Sequence, residues 1–136
     1  MVFTSFGYYG PKEDYRILAS VSRALKTTGR FLLDVWNPYR TFRYHAGDRD
    51  WWFANNILVL EESKCDYLTG YVVARRKYYG EGGEIGVREF RVRVYLPWEI
   101  RDMLSKAGFR EISFLGGLDG SGFTMEPRRM VVLAKK

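Results

Sequence analysis

The sequence predicts an α/β fold: one domain whose helix-and-strand core is interrupted by an antiparallel insertion. Three observations carry this. A one-sided helical run from Pro11 to Lys26 leads through Gly29 into the apolar stretch Phe31-Leu32-Leu33-Asp34-Val35-Trp36, which reads as helix, left-handed stop and buried strand. A second such pair, Pro97 to Ala107, Gly108, then Phe109 to Leu115, follows later in the chain. Between them, residues 51–96 read as three successive strands rather than as helices.

At 136 residues the chain is long enough for one well-buried core and shows no composition break marking a second unit. Residues 1–37 and 97–136 read as partial core, and residues 38–96 as a lid. Hydrophobic (46%) and charged (28%) contents are ordinary, but 17% aromatic residues is a surplus that a core, a pocket or an interface must absorb. A net charge of +6 favours anionic partners without selecting nucleic acid among them. The single cysteine, Cys65, excludes an internal disulfide, and the single histidine, His45, excludes any site that needs two. No apolar run reaches the roughly 18 residues of a spanning helix, and the first residues lack a basic stretch followed by an apolar core. A cytoplasmic protein with no membrane partner is expected.

In order along the chain, Val2 to Tyr9 reads as a strand end loosened by Ser5 and Gly7. Pro11, Glu13 and Asp14 open the first helix, with a fixed φ and acids against the amino-terminal dipole. Its inner stripe is Leu18, Val21, Ala24 and Leu25. Phe31 to Trp36 is a buried strand. Pro38 to Asp50 shows neither period and reads as a basic, aromatic loop turning at Gly47. Three strands follow, Trp51 to Glu62, Asp66 to Tyr79 and Glu84 to Leu96, a three-stranded antiparallel meander whose second turn is Gly80-Glu81-Gly82-Gly83. Ile100, Met103, Leu104 and Ala107 form the inner face of the second helix, ended by Gly108. Gly116 to Pro127 is a long loop with Asp119, Ser121 and Thr124, and Met130 to Leu133 a last strand.

Four segments, in this order and spacing, carry a resemblance. Phe3-Thr4-Ser5-Phe6-Gly7-Tyr8, the run Arg23-Ala24-Leu25-Lys26-Thr27-Thr28-Gly29-Arg30-Phe31-Leu32-Leu33-Asp34, then Leu104-Ser105-Lys106-Ala107-Gly108-Phe109, and the Gly116 to Pro127 loop with its closing strand resemble the carboxy-terminal half of class I S-adenosylmethionine-dependent methyltransferases. The resemblance implies a truncated Rossmann-like methyltransferase sheet with an inserted three-stranded antiparallel lid. It also implies S-adenosylmethionine as cofactor, though the first strand, glycine-rich turn and acidic strand end that hold it in the family have no counterpart here. Gly80 to Gly83 has no helix behind it and reads as a hairpin turn. The chain is therefore expected to methylate poorly or not at all alone. With one edge of Phe31 to Trp36 open, it is expected to form a homodimer or to recruit a complementing amino-terminal half.

By this resemblance Phe3, Thr4 and Ser5 contact the methionine part of the cofactor; read from the residues alone they equally suit a frayed terminus. Asn37, leaving the strand at the ligand end of the sheet, is a substrate-binding candidate or a turn former. Tyr39, Arg40, Arg43, Tyr44 and His45 form the densest basic and aromatic cluster. They suit a substrate clamp with His45 as a weak catalytic candidate, or stems covering apolar surface. Trp51 and Trp52 suit stacking on a small-molecule acceptor, or lid core. Arg75, Arg76 and Lys77 with Arg88, Arg91 and Arg93, interleaved with Tyr71, Tyr78 and Tyr79, have the composition of a platform for single-stranded nucleic acid. Glu61, Glu62, Glu84 and Glu89 would instead pair with them across strands. The alternative to an enzyme is thus a binding or regulatory module acting through the lid on nucleic acid or protein. Asp119 and Ser121 are candidates to approach a substrate from a loop whose length suits function and disorder equally, and Cys65 lacks activating neighbours other than Lys64.

Overall fold

The computed structural model describes residues 6–44 and 47–136. Helix α1 (Pro11–Ala24) leads into strand β1 (Arg30–Trp36), then helix α2 (Pro38–Tyr44). Strands β2 (Arg49–Ala54), β3 (Ile57–Asp66), β4 (Tyr71–Gly80) and β5 (Gly83–Arg93) form one antiparallel sheet in sequence order. Helix α3 (Pro97–Lys106), β6 (Arg110–Leu115) and β7 (Arg129–Lys135) follow, and the second sheet runs β1-β7-β6.

The core lies where α1 and α3 meet the β1-β7-β6 sheet. Leu18, Leu33, Ile100, Leu104 and Met130 have no exposed surface, and Phe31 stacks on Phe109 at 5.5 Å between centroids. The helical spacing of Leu18 and of Ile100/Leu104 puts these side chains on the sheet-facing stripe, as their apolar pattern dictates. Chain reversal between β1 and β7 is antiparallel, so Arg129, which begins β7, lies opposite Trp36, which ends β1.

Three local expectations are corrected. The meander has four strands, because the stretch from Trp51 to Glu62 is a hairpin: Ala54 pairs with Ile57 around Asn55-Asn56. Asn55 takes a left-handed φ of 55°, which asparagine tolerates through its short polar side chain. Pro38 to Tyr44 is a helix rather than a loop; Asn37 caps it, its Oδ1 accepting the Tyr39 amide at 3.1 Å, and Pro38 fits the first helical position. Helix α1 stops at Ala24, and Gly29 is no left-handed stop: its amide bonds to the Lys26 carbonyl, and a Cβ there would lie 2.8 Å from that oxygen. Gly108, at φ 92°, does end α3 as expected, with the Phe109 amide reaching back to Leu104 and its own to Ser105.

The lid is joined to the core by a buried polar junction. The Tyr95 hydroxyl donates to Asp14 Oδ2 at 2.6 Å, and the Gly7 amide donates to Asp14 Oδ1 at 3.3 Å. Arg93, the last residue of β5, donates its amide to the Gly7 carbonyl at 2.8 Å and its guanidinium to the carbonyls of Gly70 and Val94 and to Glu99. Its carbon lies 5.0 Å from the Tyr95 ring centroid. Burial raises the carboxyl of Asp14 and the phenol of Tyr95 above their usual values. One chain of contacts thus fixes the turn before α1, the end of β5 and the start of α3 against one another.

Candidate acceptor cleft

Ligands of open α/β sheets sit beyond the carboxyl ends of the strands. At the end of β1 a cleft of about 560 Å³ is lined by Trp36, Arg40 and Tyr44 from β1 and α2, by Arg128 and Arg129 at the start of β7, and by Asp48 and Asp50 from the lid. It therefore lies between core and lid, with guanidinium groups from the core and carboxyl groups from the lid.

Each wall follows from local structure. α2 is seven residues long, which sets Arg40 and Tyr44 one turn apart on the same side; the Arg40 guanidinium lies 4.9 Å from the Tyr44 ring centroid. Arg40 also donates to the Glu126 carbonyl at 2.8 Å, and Arg43 pairs with the Glu126 carboxylate at 3.6 Å. Arg129 is committed to buried Asp34, its Nε 2.6 Å from Oδ1 and its Nη2 3.1 Å from the Asp34 carbonyl. Arg128 carries no side-chain partner among the described residues, so it is the cation available to a ligand here.

Asn37 stands behind this wall. It is fully buried; Nδ2 donates to the carbonyls of Thr124 and Pro127, each at 2.9 Å, while Oδ1 caps α2. Its side chain thereby ties the 116–127 loop to the end of β1. Tyr39 supports the same loop through Phe123 at 6.1 Å. Within that loop Asp119 accepts the Ser121 amide and hydroxyl at 3.1 and 2.8 Å, which holds its carboxyl below the ordinary range.

Of the residues singled out in sequence, Arg40 and Tyr44 line the cleft, Asn37 and Tyr39 support it, and Arg43 braces Glu126 at its rim. Trp51 is elsewhere. The period of two puts its side chain on the lid face opposite that of Asp50, 65% exposed beside Phe53, over a groove lined by Leu60, Glu62, Arg75 and Lys77 that extends round to Arg49, Asp50 and Glu61. Phe3, Thr4, Ser5 and His45 lie outside the described residues. Sequence reasoning missed Asp48, Asp50, Arg128 and Arg129; the one signal for the last two was a basic pair directly before a strand, meaningful only once β7 is known to run antiparallel to β1.

Among the described residues no glycine-rich turn joins a strand to a helix. Gly80–Gly83 closes the β4–β5 hairpin, and Gly116–Gly122 lies in the loop between β6 and β7. The described part of the chain thus does not fit a complete S-adenosylmethionine site by itself.

No protein-family model and no curated protein matches the sequence. Solved structures do. The chain is similar to the CcbJ methyltransferase of Streptomyces caelestis, at 24% identity and a TM-score of 0.74, over 98% of this chain and 54% of that one. It is similar to an S-adenosylmethionine-dependent methyltransferase of Clostridium acetobutylicum (16%, 0.76, 98% and 55%). A third likeness is to CalS10 of Micromonospora echinaspora, an amino pentose methyltransferase solved with S-adenosylmethionine bound (18%, 0.65, 98% and 56%). The fold is therefore that of S-adenosylmethionine-dependent methyltransferases, with an antiparallel lid, and the chain spans about half the length of the structures it matches.

Proposed function

We propose that this chain supplies the acceptor-side half of an S-adenosylmethionine-dependent methyltransferase. Its acceptor is a small molecule held in the cleft between β1, α2 and the lid. The carrying observation is the placement of that cleft at the carboxyl end of β1, on a fold that matches such enzymes over 98% of this chain. The other part of the neighbours' length has no counterpart here, so donor-binding strands come from a complementing segment, and the chain alone binds the cofactor weakly or not at all.

Methyl transfer requires an in-line approach of acceptor and donor and exclusion of water, and positioning supplies most of the acceleration. Asp48 and Asp50 on the lid suit an amine acceptor, whose N–H groups a carboxylate holds, while Arg128 suits an anionic group on the same molecule. An amino-sugar acceptor meets both demands, in keeping with the amino pentose methyltransferase among the neighbours.

The test is methyl transfer by the chain joined to the donor-side half of a structural neighbour, with amino-sugar and hydroxyl-only sugar acceptors compared. Transfer to the amine, weakened about tenfold or more in KM by Arg128→Gln, supports the reading on the strength of one charge-assisted contact. A folded, cofactor-binding fusion that methylates neither acceptor contradicts it.

One observation favours a second reading. The outer lid face carries exposed Trp51 and Phe53 with Arg75 and Lys77, which have no ion pair among the described residues. That arrangement suits stacking of unpaired bases. Salt-sensitive binding of single-stranded oligonucleotides, lost in Trp51→Ala, would promote it over catalysis.

A further inference from the structure

The charges on the inner face of the lid fall in a single row. Strand register places Asp50 opposite Glu61, Glu61 opposite Arg76, and Arg76 opposite Arg88. This is the face that turns toward the core, since Val59, Ser63, Val72, Ala74 and Val92 on it are buried. Directly opposed side chains on one face of an antiparallel pair have Cβ atoms about 5 Å apart, and like charges so placed repel. Glu61 and Arg76 neutralise one another in an ion pair. Arg88 then remains beside Arg76 with no carboxylate partner among the described residues.

Two free surface arginines would relieve this by swinging apart. Arg76 cannot. Its guanidinium carbon lies 4.4 Å from the Phe90 ring centroid and 5.2 Å from that of Trp52, and its Nε donates to Glu61. These contacts fix the guanidinium plane and use one N–H, leaving the Nη groups without a hydrogen-bond partner among the described residues. A clamped guanidinium with its fork unspent is the geometry that oxyanions accept in bidentate fashion. Two residues along the same strands, at the Tyr78–Gly86 pair, a cleft of about 470 Å³ is lined by Tyr78, Ile85, Gly86, Val87 and Arg88, so that Arg88 stands between this open space and Arg76. A Cβ at Gly86 would meet nothing within 4 Å, so the face next to Arg88 along β5 is open.

We infer that Arg76 and Arg88 form an oxyanion subsite on the inner face of the lid, taking a phosphate or carboxylate group of a small organic ligand. The bound anion offsets the repulsion between the two guanidinium groups, and Trp52 and Phe90 hold Arg76 in place for it. This subsite is built from β4 and β5 and needs neither the methyl donor nor the Arg128 cleft, so its failure and that of the methyl-transfer reading are separable.

Calorimetric titration of the chain with sodium pyrophosphate and with sodium citrate, at matched ionic strength, tests it. The wild type is expected to bind at least one of the two saturably, the tighter one naming the group. Arg88→Gln and Arg76→Lys are each expected to weaken that binding about tenfold, the first by removing a charge and the second by removing the fork. Lys12→Gln, at an exposed lysine on α1, is expected to leave it within twofold. Arg88→Gln should melt no lower than wild type without the anion, since it removes the repulsion, and should lose the melting-temperature rise that the anion gives wild type. Absence of saturable binding by the folded wild type overturns the inference. So does binding that Arg88→Gln leaves within twofold, or that Lys12→Gln abolishes.

Discussion

Replacing Asn37 by alanine removes three hydrogen bonds from a side chain with no exposed surface. The two orphaned carbonyls, Thr124 and Pro127, lie in a loop where water can reach them in part. Each loss therefore falls near the low end of the range for an unsatisfied buried group, about 1 kcal/mol. Loss of the cap on α2 adds about 1 kcal/mol, and the sum is about 3 kcal/mol, a large part of the stability of a domain of this size. Two readouts follow. Urea denaturation should show a lower midpoint with unchanged slope, and limited proteolysis should open the 116–127 loop before the rest of the chain. Asn37→Asp keeps an acceptor for the Tyr39 amide but sets a carboxylate against two carbonyl oxygens, so it should be no better than alanine. A variant within about 0.5 kcal/mol of wild type, with an equally resistant loop, would refute the role assigned here to Asn37 and return it to the list of acceptor contacts.

Other consequences concern the junction and the cleft wall. Gly7 has φ 103°, and a Cβ there would lie 2.3 Å from the Arg93 carbonyl oxygen; Gly7→Ala should lose at least about 2 kcal/mol by thermal or chemical melting, and a neutral effect would contradict the packing described. Burial holds the Asp14 carboxyl above its usual 3.8, so the folded state keeps that proton more tightly than the unfolded chain. The resulting stability is fully present below about pH 3.8 and is lost as pH rises through the folded value. Denaturation across pH 3.5 to 7 should show wild type losing ground to Asp14→Asn as pH rises, and a constant difference would contradict this. Arg129→Met removes the guanidinium paired with the buried Asp34 carboxylate and should cost about 2 kcal/mol or more, read as a fall in melting temperature; an unchanged melting temperature would mean that the pair contributes no net stability.

Wherever one residue pattern dictated one local geometry, the sequence was readable. The stripe of Leu18 and Val21, the apolar run at Phe31 and the Gly108 stop led to α1, β1 and the end of α3, and the Gly80 to Gly83 hairpin followed from context. Misreadings arose where two patterns competed. Asn55-Asn56 is a polar pair inside a strand-like run, and only its left-handed backbone marks the hairpin. Pro38 to Tyr44 is too short for a helical period to emerge, and its helix depends on the cap that Asn37 provides. Most of the cleft was not legible, because Asp48, Asp50 and Arg128 converge through strand order and lid placement rather than through spacing in the chain. The same holds for the row Asp50, Glu61, Arg76, Arg88, which exists only once the register of four strands is known.

The core-to-lid cleft is proposed as the acceptor half of a methyl-transfer site. The most direct measurement is methyl transfer from labelled S-adenosylmethionine to an amino sugar, comparing the chain alone with the chain joined to a donor-side half. The fusion should transfer label to the amine and lose transfer when Asp50 or Arg128 is neutralised, while the chain alone should neither transfer label nor bind the cofactor at micromolar concentration. Micromolar cofactor binding by the chain alone, or transfer by the fusion that is indifferent to both substitutions, would contradict it.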